Sequence, residues 1–331
     1  MAFHIYRLGR VSWQETQLAY HALAHLGREG LILCSPERPY VSVGYFQDPA
    51  QELDLAYCRD AGLPVFRREV GGGAVYLDGC QIFWQVVLGR EHPLVSLNRQ
   101  KFYNRLLAPV VAVYQDLGVS ARVAPINDVA VGNRRIAGTG AGEIGSCVAF
   151  VGNLMRRFDC AAMARVIKAP DMAFRRSFQA HMERELTSLR RELGARQEAA
   201  WSDDQLYRLL AGRFAEALGS LEPRGVDPEL RRAMERLGQR MLSPEWTLFP
   251  RKPRPYRRLK VRAGMFLHHW EQALPGGRMQ ARFTSLSDRV VELSLRGVGQ
   301  DQPPSRMARH FIGREVGELI NFLGNMAAEA V

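Results

Sequence analysis

The chain has 331 residues, 47% of them hydrophobic, and a formal charge of +11. That length exceeds the usual single core and predicts one large domain with a smaller one. No run approaches the ~18 uninterrupted apolar residues of a membrane span, so no membrane partner is expected. The charge would suit a polyanion. Yet Lys101, Lys168, Lys252 and Lys260 are the only lysines, arginine supplies the rest, and no recognition motif accompanies them. Nucleic acid is therefore not the expected partner, and the charge is better suited to steering an acidic protein or a nucleotide. Cys34, Cys58, Cys80, Cys147 and Cys160 form no C-x-x-C pair, which argues against a disulfide framework and a zinc ribbon. The adjacent His268 and His269 would point to opposite faces of a strand, so no metal site of the protein's own is expected. The N-terminal residues lack the apolar core of a secretory signal, which predicts a cytoplasmic protein.

In chain order, Ser12-Trp13-Gln14-Glu15 is a capping box. Leu18, Ala22, Leu23 and Leu26 follow at helical spacing up to Gly27. Short β-rich runs at Tyr40–Phe46, Pro64–Val70, Ala74–Leu77 and Gln81–Leu88 read as an antiparallel sheet. A helix is predicted from about Leu97 to Leu117, kinked or interrupted by Pro109. Asn127–Val131 and Arg135–Ala137 flank Gly132-Asn133, a hairpin signal. Cys147–Phe158 is another β-rich run, and residues 161–240 read largely as charged amphipathic helices. The prolines of Pro250-Arg251-Lys252-Pro253-Arg254-Pro255 mark a linker. Beyond it, strands at Leu259–His268, Met279–Ser285 and Val290–Arg296, a turn at Pro275-Gly276-Gly277 and a helix at Gly313–Ala328 describe a small α/β module. The predicted organisation is 1–249, a linker at 250–258, and 259–331.

Arg67-Arg68-Glu69-Val70-Gly71-Gly72-Gly73-Ala74-Val75-Tyr76-Leu77-Asp78 is the most informative segment. Three glycines between two strands bare the backbone so that amides can face phosphate or carboxylate oxygens, and two arginines add cationic forks. A plain glycine-rich turn with solvated arginines is the competing reading. The segment lacks the Gly-Lys-Ser/Thr ending of a Walker loop and the strand-to-helix setting of the dinucleotide fingerprint. About sixty residues later, Asn127-Asp128 precedes the hairpin, Arg134-Arg135-Ile136-Ala137-Gly138 follows it, and Thr139-Gly140-Ala141-Gly142-Glu143 permits close backbone approach.

These segments, in this order, resemble the lipoate-protein ligase A branch of the biotin/lipoate ligase superfamily, whose pattern is R-R-x-x-G-G-G-x-V-x-H-D, then N-D, then G-x-K-I-[AS]-G. The resemblance spans about Phe3 to Asp159, with Val41-Ser42-Val43-Gly44 similar to the family's early strand and Leu259–Val331 similar to its accessory domain. It implies an α/β fold of α+β type, related to class II synthetases and biotin ligases, with a mixed, mainly antiparallel sheet. It also implies an activity: lipoate or octanoate is activated by ATP, with Mg²⁺, to an acyl-adenylate and passed to a lysine of a lipoyl domain or a glycine-cleavage H-type carrier. Carried over by position, Arg68, Gly71, Gly72, Gly73, Ala74, Val75 and Tyr76 would hold the nucleotide and adenylate phosphate. Asn127 and Asp128 would contact adenine or a bound metal, Gly138 and Ala141 would line the acyl tunnel, and Arg135 takes the catalytic lysine's place.

Three positions depart from the pattern: Leu77 replaces histidine, Val70 replaces a frequent serine, and Arg135 replaces lysine. Arginine keeps the charge but is larger and planar, so the last exchange is not conservative. Two alternatives stay open. One is a transferase with a cysteine nucleophile, for which Cys147 is the candidate ahead of Cys80, although a cysteine in an apolar β-run is ordinarily a small core residue. The other is a binder of lipoyl domains or acyl-adenylate that has lost catalysis. Glu143 is a candidate for Mg²⁺ or the incoming lysine, against the reading of an exposed carboxylate. His181, His268, His269 and His310 read as packing or surface residues.

Overall fold

The computed structural model describes residues 3–124, 127–251, 256–262, 264–274, 277–297 and 309–329. The chain divides into two units, Met1–Arg251 and Lys252–Val331. In the first, the strands are β1 (Phe3–Val11), β2 (Gly30–Pro36), β3 (Tyr40–Val43), β4 (Val65–Arg67), β5 (Val75–Leu77), β6 (Gln81–Gly89), β7 (Ala121–Ala124), β8 (Asp128–Val131), β9 (Arg134–Ala137), β10 (Thr139–Ile144), β11 (Cys147–Met155) and β12 (Leu221–Pro223). The main sheet has the order β10-β11-β6-β2-β1-β12. It is antiparallel from β10 to β2 and parallel from β2 to β12.

Side-chain alternation sorts this sheet onto two cores. Ile82, Trp84, Val86 and Leu88 of β6, with Leu31, Leu33 and Phe150, pack against helices Arg99–Asp116 and Asp203–Leu218. Phe83, Val87, Ile32, Cys34 and Ala149 face the other way, against helices Trp13–His25 and Pro228–Met241. Burial on both sides explains why β6 is almost continuously apolar.

The capping box forms as expected: the Glu15 amide donates to Ser12 Oγ, and the Ser12 amide donates to the Glu15 carboxylate. The early β-runs do not make one antiparallel sheet. β6 joins the main sheet, while β4-β3-β5 form a separate one in which β3 and β4 are parallel. A parallel pair needs a crossover, and the stretch between β3 and β4 contains helices Pro49–Glu52 and Leu55–Asp60, N-capped by Asp48 and Asp54. Helix Arg99–Asp116 runs through Pro109, which the sequence reading had as a kink or break. Pro109 is buried on the face that carries Phe102, Leu106, Val110 and Val113, and that packing offsets the ~3 kcal/mol a helical proline costs. β7-β8-β9 form an antiparallel meander whose β8–β9 turn has Gly132 at φ 55°.

The second unit is an antiparallel meander of β13 (Arg257–Arg262), β14 (Met265–Leu274), β15 (Gly277–Leu286) and β16 (Arg289–Arg296), with helix Val316–Glu329. Trp270, Phe283, Val290, Leu319 and Leu323 share its core. The single strand expected at Leu259–His268 is two, β13 and β14, with Gly264 at φ 70° between them. Residues 252–255 of the linker expected at 250–258, and Pro275-Gly276 of the expected turn, lie outside the described residues, while Arg257 and Arg258 of that linker belong to β13.

Candidate functional site

The loop between β4 and β5 carries the glycine run. The Gly71 amide donates to the Ala141 carbonyl at 3.0 Å, and Gly72 adopts φ 103°. A Cβ on Gly44 would lie 2.1 Å from the Gly72 oxygen, one on Gly140 would lie 3.1 Å from the Gly71 oxygen, and one on Gly142 would lie 3.0 Å from the Val70 Cα. The glycine just after β3 and those of the loop and β10 therefore interlock at backbone contact, which explains why both motifs are rich in glycine. Nothing lies within 4 Å of where a Gly73 Cβ would sit, so that side of the loop is open. Among the described residues the amides of Gly72, Gly73 and Ala74 make no hydrogen bond. Consecutive free amides beside open space are an arrangement that can accept an anion.

Arg68 acts from beneath this loop. Its side chain is buried and donates to the Gly71 carbonyl (2.9 Å from Nη2), the Gly73 carbonyl (2.8 Å) and Ser42 Oγ (3.2 Å). By holding the loop's carbonyls inward, it leaves the intervening amides facing out. Burial pulls its pKa below the ordinary guanidinium value, yet arginine stays charged. Among the described residues Arg68 has no carboxylate partner, so its charge adds to the loop's attraction for an anion.

Arg67 does not share that role, contrary to the expectation of two cationic forks. It is buried and donates to the carbonyls of Tyr45 (3.0 Å), Gln47 (2.6 Å), Thr247 (3.4 Å) and Phe249, while Trp246 Nε1 donates to the Arg67 carbonyl. It ties segment 247–249 to segment 45–47. Successive strand residues point to opposite faces, and so two identical neighbours divide between scaffold and loop.

The same division separates Arg134 from Arg135. Arg134 pairs with Glu192 at 2.8 Å, and Thr187 also donates to that carboxylate. The buried Nε atoms of both arginines lack a hydrogen-bond partner, but Arg135, unlike Arg134, has no ion-pair partner among the described residues. Its Nη2 lies 3.9 Å from where a Gly138 Cβ would sit. A register shift between Val129 and Ala130 sets Arg135 opposite Ala130, the kind of local bulge that re-aims a side chain. Asn127 Nδ2 donates to Thr139 Oγ1 (3.1 Å), which donates to the Asn127 carbonyl (2.6 Å), and Asp128 is buried beside them.

Val75 and Tyr76 lie on β5, with Tyr76 buried. The Tyr76 carbonyl accepts from Gln81 Nε2 (3.2 Å), Gln81 Oε1 accepts from Asn153 Nδ2 (2.5 Å), and Asn153 Oδ1 accepts from the Gly138 amide (2.8 Å). The Gly138 carbonyl also accepts from the Asn153 amide (3.3 Å), so both backbone groups of Gly138 are used, and at Ala141 the carbonyl is taken by the Gly71 amide. Sequence reasoning missed Gln81 and Asn153. The available signal was an amide in an apolar strand: Gln81 opens β6, which also carries Gln85, and Asn153 lies within β11.

His21 was also missed. Its Nε2 accepts from the Glu69 amide (3.0 Å), so Nδ1 carries the proton and donates to the Gln17 carbonyl (2.7 Å). Burial lowers its pKa to about 4. Glu69 in turn bonds His25 (2.7 Å) and Arg240 (2.8 Å), which fixes the start of the glycine loop to both helices of that core.

The remaining candidates lie elsewhere. Cys147 is fully buried in the core with Ala24 and Leu23, and burial raises its pKa. Cys80 is half-buried, and burial with Asp78 beside it raises its pKa too. Glu143 is exposed and pairs with Arg90 at 2.8 Å. His268 stacks on Phe283 at 4.3 Å and bonds Ser285, and burial holds its pKa down to about 3. Among the described residues no three His, Cys, Asp or Glu side chains could hold a metal ion, and no helix is long and apolar enough to cross a membrane.

The fold and this geometry define an α/β domain whose free loop amides and unpaired guanidinium suit a phosphate or carboxylate. Residues 11–214 match the lipoyl protein ligase A/B catalytic domain, and the chain belongs to that family. The octanoyltransferase LipM of Moorella thermoacetica is 26% identical over 196 residues, 54% of this chain and 71% of that protein. The bi-partite lipoate protein ligase of Thermoplasma acidophilum, from a lipoylation system that includes an E2 lipoyl domain, shares the fold with TM-score 0.66 at 22% identity, over 76% of this chain and 99% of that one. A lipoate-protein ligase A bound with ATP shares it with TM-score 0.61 at 19% identity, over 75% of this chain and 99% of that one.

Proposed function

We propose that this protein is an ATP-dependent ligase that activates lipoate or octanoate as an acyl-adenylate and transfers the acyl group to a lysine of a lipoyl-domain or H-type carrier in the cytoplasm. The observation that carries the reading is the pairing of three free amides, Gly72 to Ala74, with one unpartnered cation, Arg135. A carboxylate oxygen of the acid attacks the α-phosphorus of ATP and pyrophosphate leaves. The carrier amine then attacks the acyl carbonyl, AMP departs and the amine loses its proton to solvent. Both steps gather negative charge at the phosphate and the acyl oxygen, where fixed amides and a guanidinium stabilise it without reorganisation. An arginine fork can pair with carboxylate and phosphate oxygens together.

Asp128 is the buried carboxylate of the second motif. Mg²⁺ ordinarily takes one or two carboxylates with substrate phosphates, so Asp128 together with the ATP phosphates suits it, and the metal would neutralise triphosphate charge. The second unit serves as the accessory domain. Transfer through a cysteine, as the name of the Moorella relative would suggest, is the weaker reading, because the core position of Cys147 keeps the thiol protonated and away from substrate. Incubation with ATP, Mg²⁺, octanoate or lipoate and an apo lipoyl domain, followed by intact mass, tests the proposal. ATP-dependent acylation of the carrier is expected, and acylation that proceeds without ATP, or none at all, refutes it.

A further inference from the structure

Gln81 and Asn153 stand out as buried amides with every role assigned by their partners. The Tyr76 carbonyl can only accept, which turns Gln81 Nε2 towards it, and the Gly138 amide can only donate, which turns Asn153 Oδ1 towards it. The remaining halves meet each other, Asn153 Nδ2 to Gln81 Oε1 at 2.5 Å, with no orientation left free. Gln81 is fully buried and Asn153 nearly so. This relay joins the strand that follows the glycine loop to the turn that follows β9, across two different sheets. At its far end Asn153 Oδ1 and Arg135 Nη2 both lie within 4 Å of the same point, the place of a Gly138 Cβ.

We infer that Gln81 and Asn153 are positioning residues that hold Gly138, and with it the Arg135 guanidinium, in register with the free amides of the loop. The inference rests on the ligase reading. The relay acts through Arg135 and does not touch substrate. Asn153→Asp tests this, because a carboxylate keeps the acceptor for Gly138 but sets acceptor against acceptor at Gln81 and offers Arg135 an internal anion in place of the substrate's.

The probe is a non-hydrolysable octanoyl-sulfamoyl adenosine, titrated calorimetrically into wild type, Asn153→Asp, Arg135→Ala and the double variant, with thermal melts alongside. Gln81→Glu, which keeps the acceptor for Asn153 Nδ2 but removes the donor to the Tyr76 carbonyl and so breaks the relay at its other end, serves as the second variant if Asn153→Asp does not fold. The expected result is about ten- to a hundredfold weaker binding for Asn153→Asp, the range produced when buried polar groups are left unsatisfied. In the Arg135→Ala background the same change costs less than about twofold, because coupled residues are non-additive. Equal losses in both backgrounds, or wild-type affinity in Asn153→Asp, overturn the positioning role. Wild type that does not bind the probe overturns the ligase reading itself and this inference with it.

Discussion

Gly44→Ala probes the interlocked glycines most sharply. The new methyl would stand 2.1 Å from the Gly72 oxygen, 3.0 Å from its carbonyl carbon and 3.2 Å from its nitrogen, all backbone atoms that no rotamer change can clear. Ordinary contact requires the loop to retreat by about 1 Å, and forced overpacking of this kind costs roughly 1–3 kcal/mol. The same retreat pulls the Gly71 and Gly73 carbonyls from Arg68 and turns the free amides away from their target. A misplacement of about 1 Å near reacting groups costs on the order of 10² in rate. Octanoate-dependent exchange of pyrophosphate into ATP measures the rate, and a thermal melt measures the stability. Gly212→Ala is the control, because nothing lies within 4 Å of its Cβ site on the exposed face of helix Asp203–Leu218; it should stabilise by up to about 1 kcal/mol without touching activity. A Gly44→Ala protein with wild-type melting and wild-type exchange would refute the interlock.

His21 predicts an acid-sensitive fold. Its folded pKa, about 4, lies below the ordinary histidine value, so the unfolded chain binds more protons between them. Stability is complete above about pH 6.5 and falls as pH drops towards 4, by up to about 3 kcal/mol. Denaturant melts at pH 7.5 and 5 should show that slope in wild type and a shallower one in His21→Asn; equal slopes contradict it. Cys147→Ala should leave ATP-dependent acylation within about twofold and form no hydroxylamine-sensitive adduct, since a ligase needs no acyl-enzyme. Loss of acylation in that variant would favour the transferase.

Local chemistry was legible in the sequence. The Ser12 capping box and the Gly132 hairpin follow from rules that act within a few residues, and β-rich runs located β6 and β11 of the main sheet but not β1, β2 or β12. What stayed hidden depends on distant chain. Nothing local distinguishes Arg67, which grips segment 247–249, from Arg68, which grips the loop. Pro109 reads locally as a kink or an interruption because the core its helix packs on comes from strands far along the chain. The parallel pairing of β3 with β4 required two short helices hidden in Asp-capped segments. Gln81 and Asn153 find each other only once β6 and β11 pair.

The most direct measurement of the central claim is octanoate-dependent ATP–pyrophosphate exchange in wild type, Arg135→Ala, Arg135→Lys and Arg134→Ala. Arg134 lies in a half-exposed pair with Glu192, of a kind worth about 1 kcal/mol or less, so its loss should leave exchange within about twofold. Removing the unpartnered cation with Arg135→Ala should lower exchange by about 10²–10³, as loss of one transition-state donor does. Arg135→Lys, which keeps the charge in a more compact group, should retain or exceed the wild-type rate. Full exchange in Arg135→Ala, or no exchange in wild type, would contradict the account.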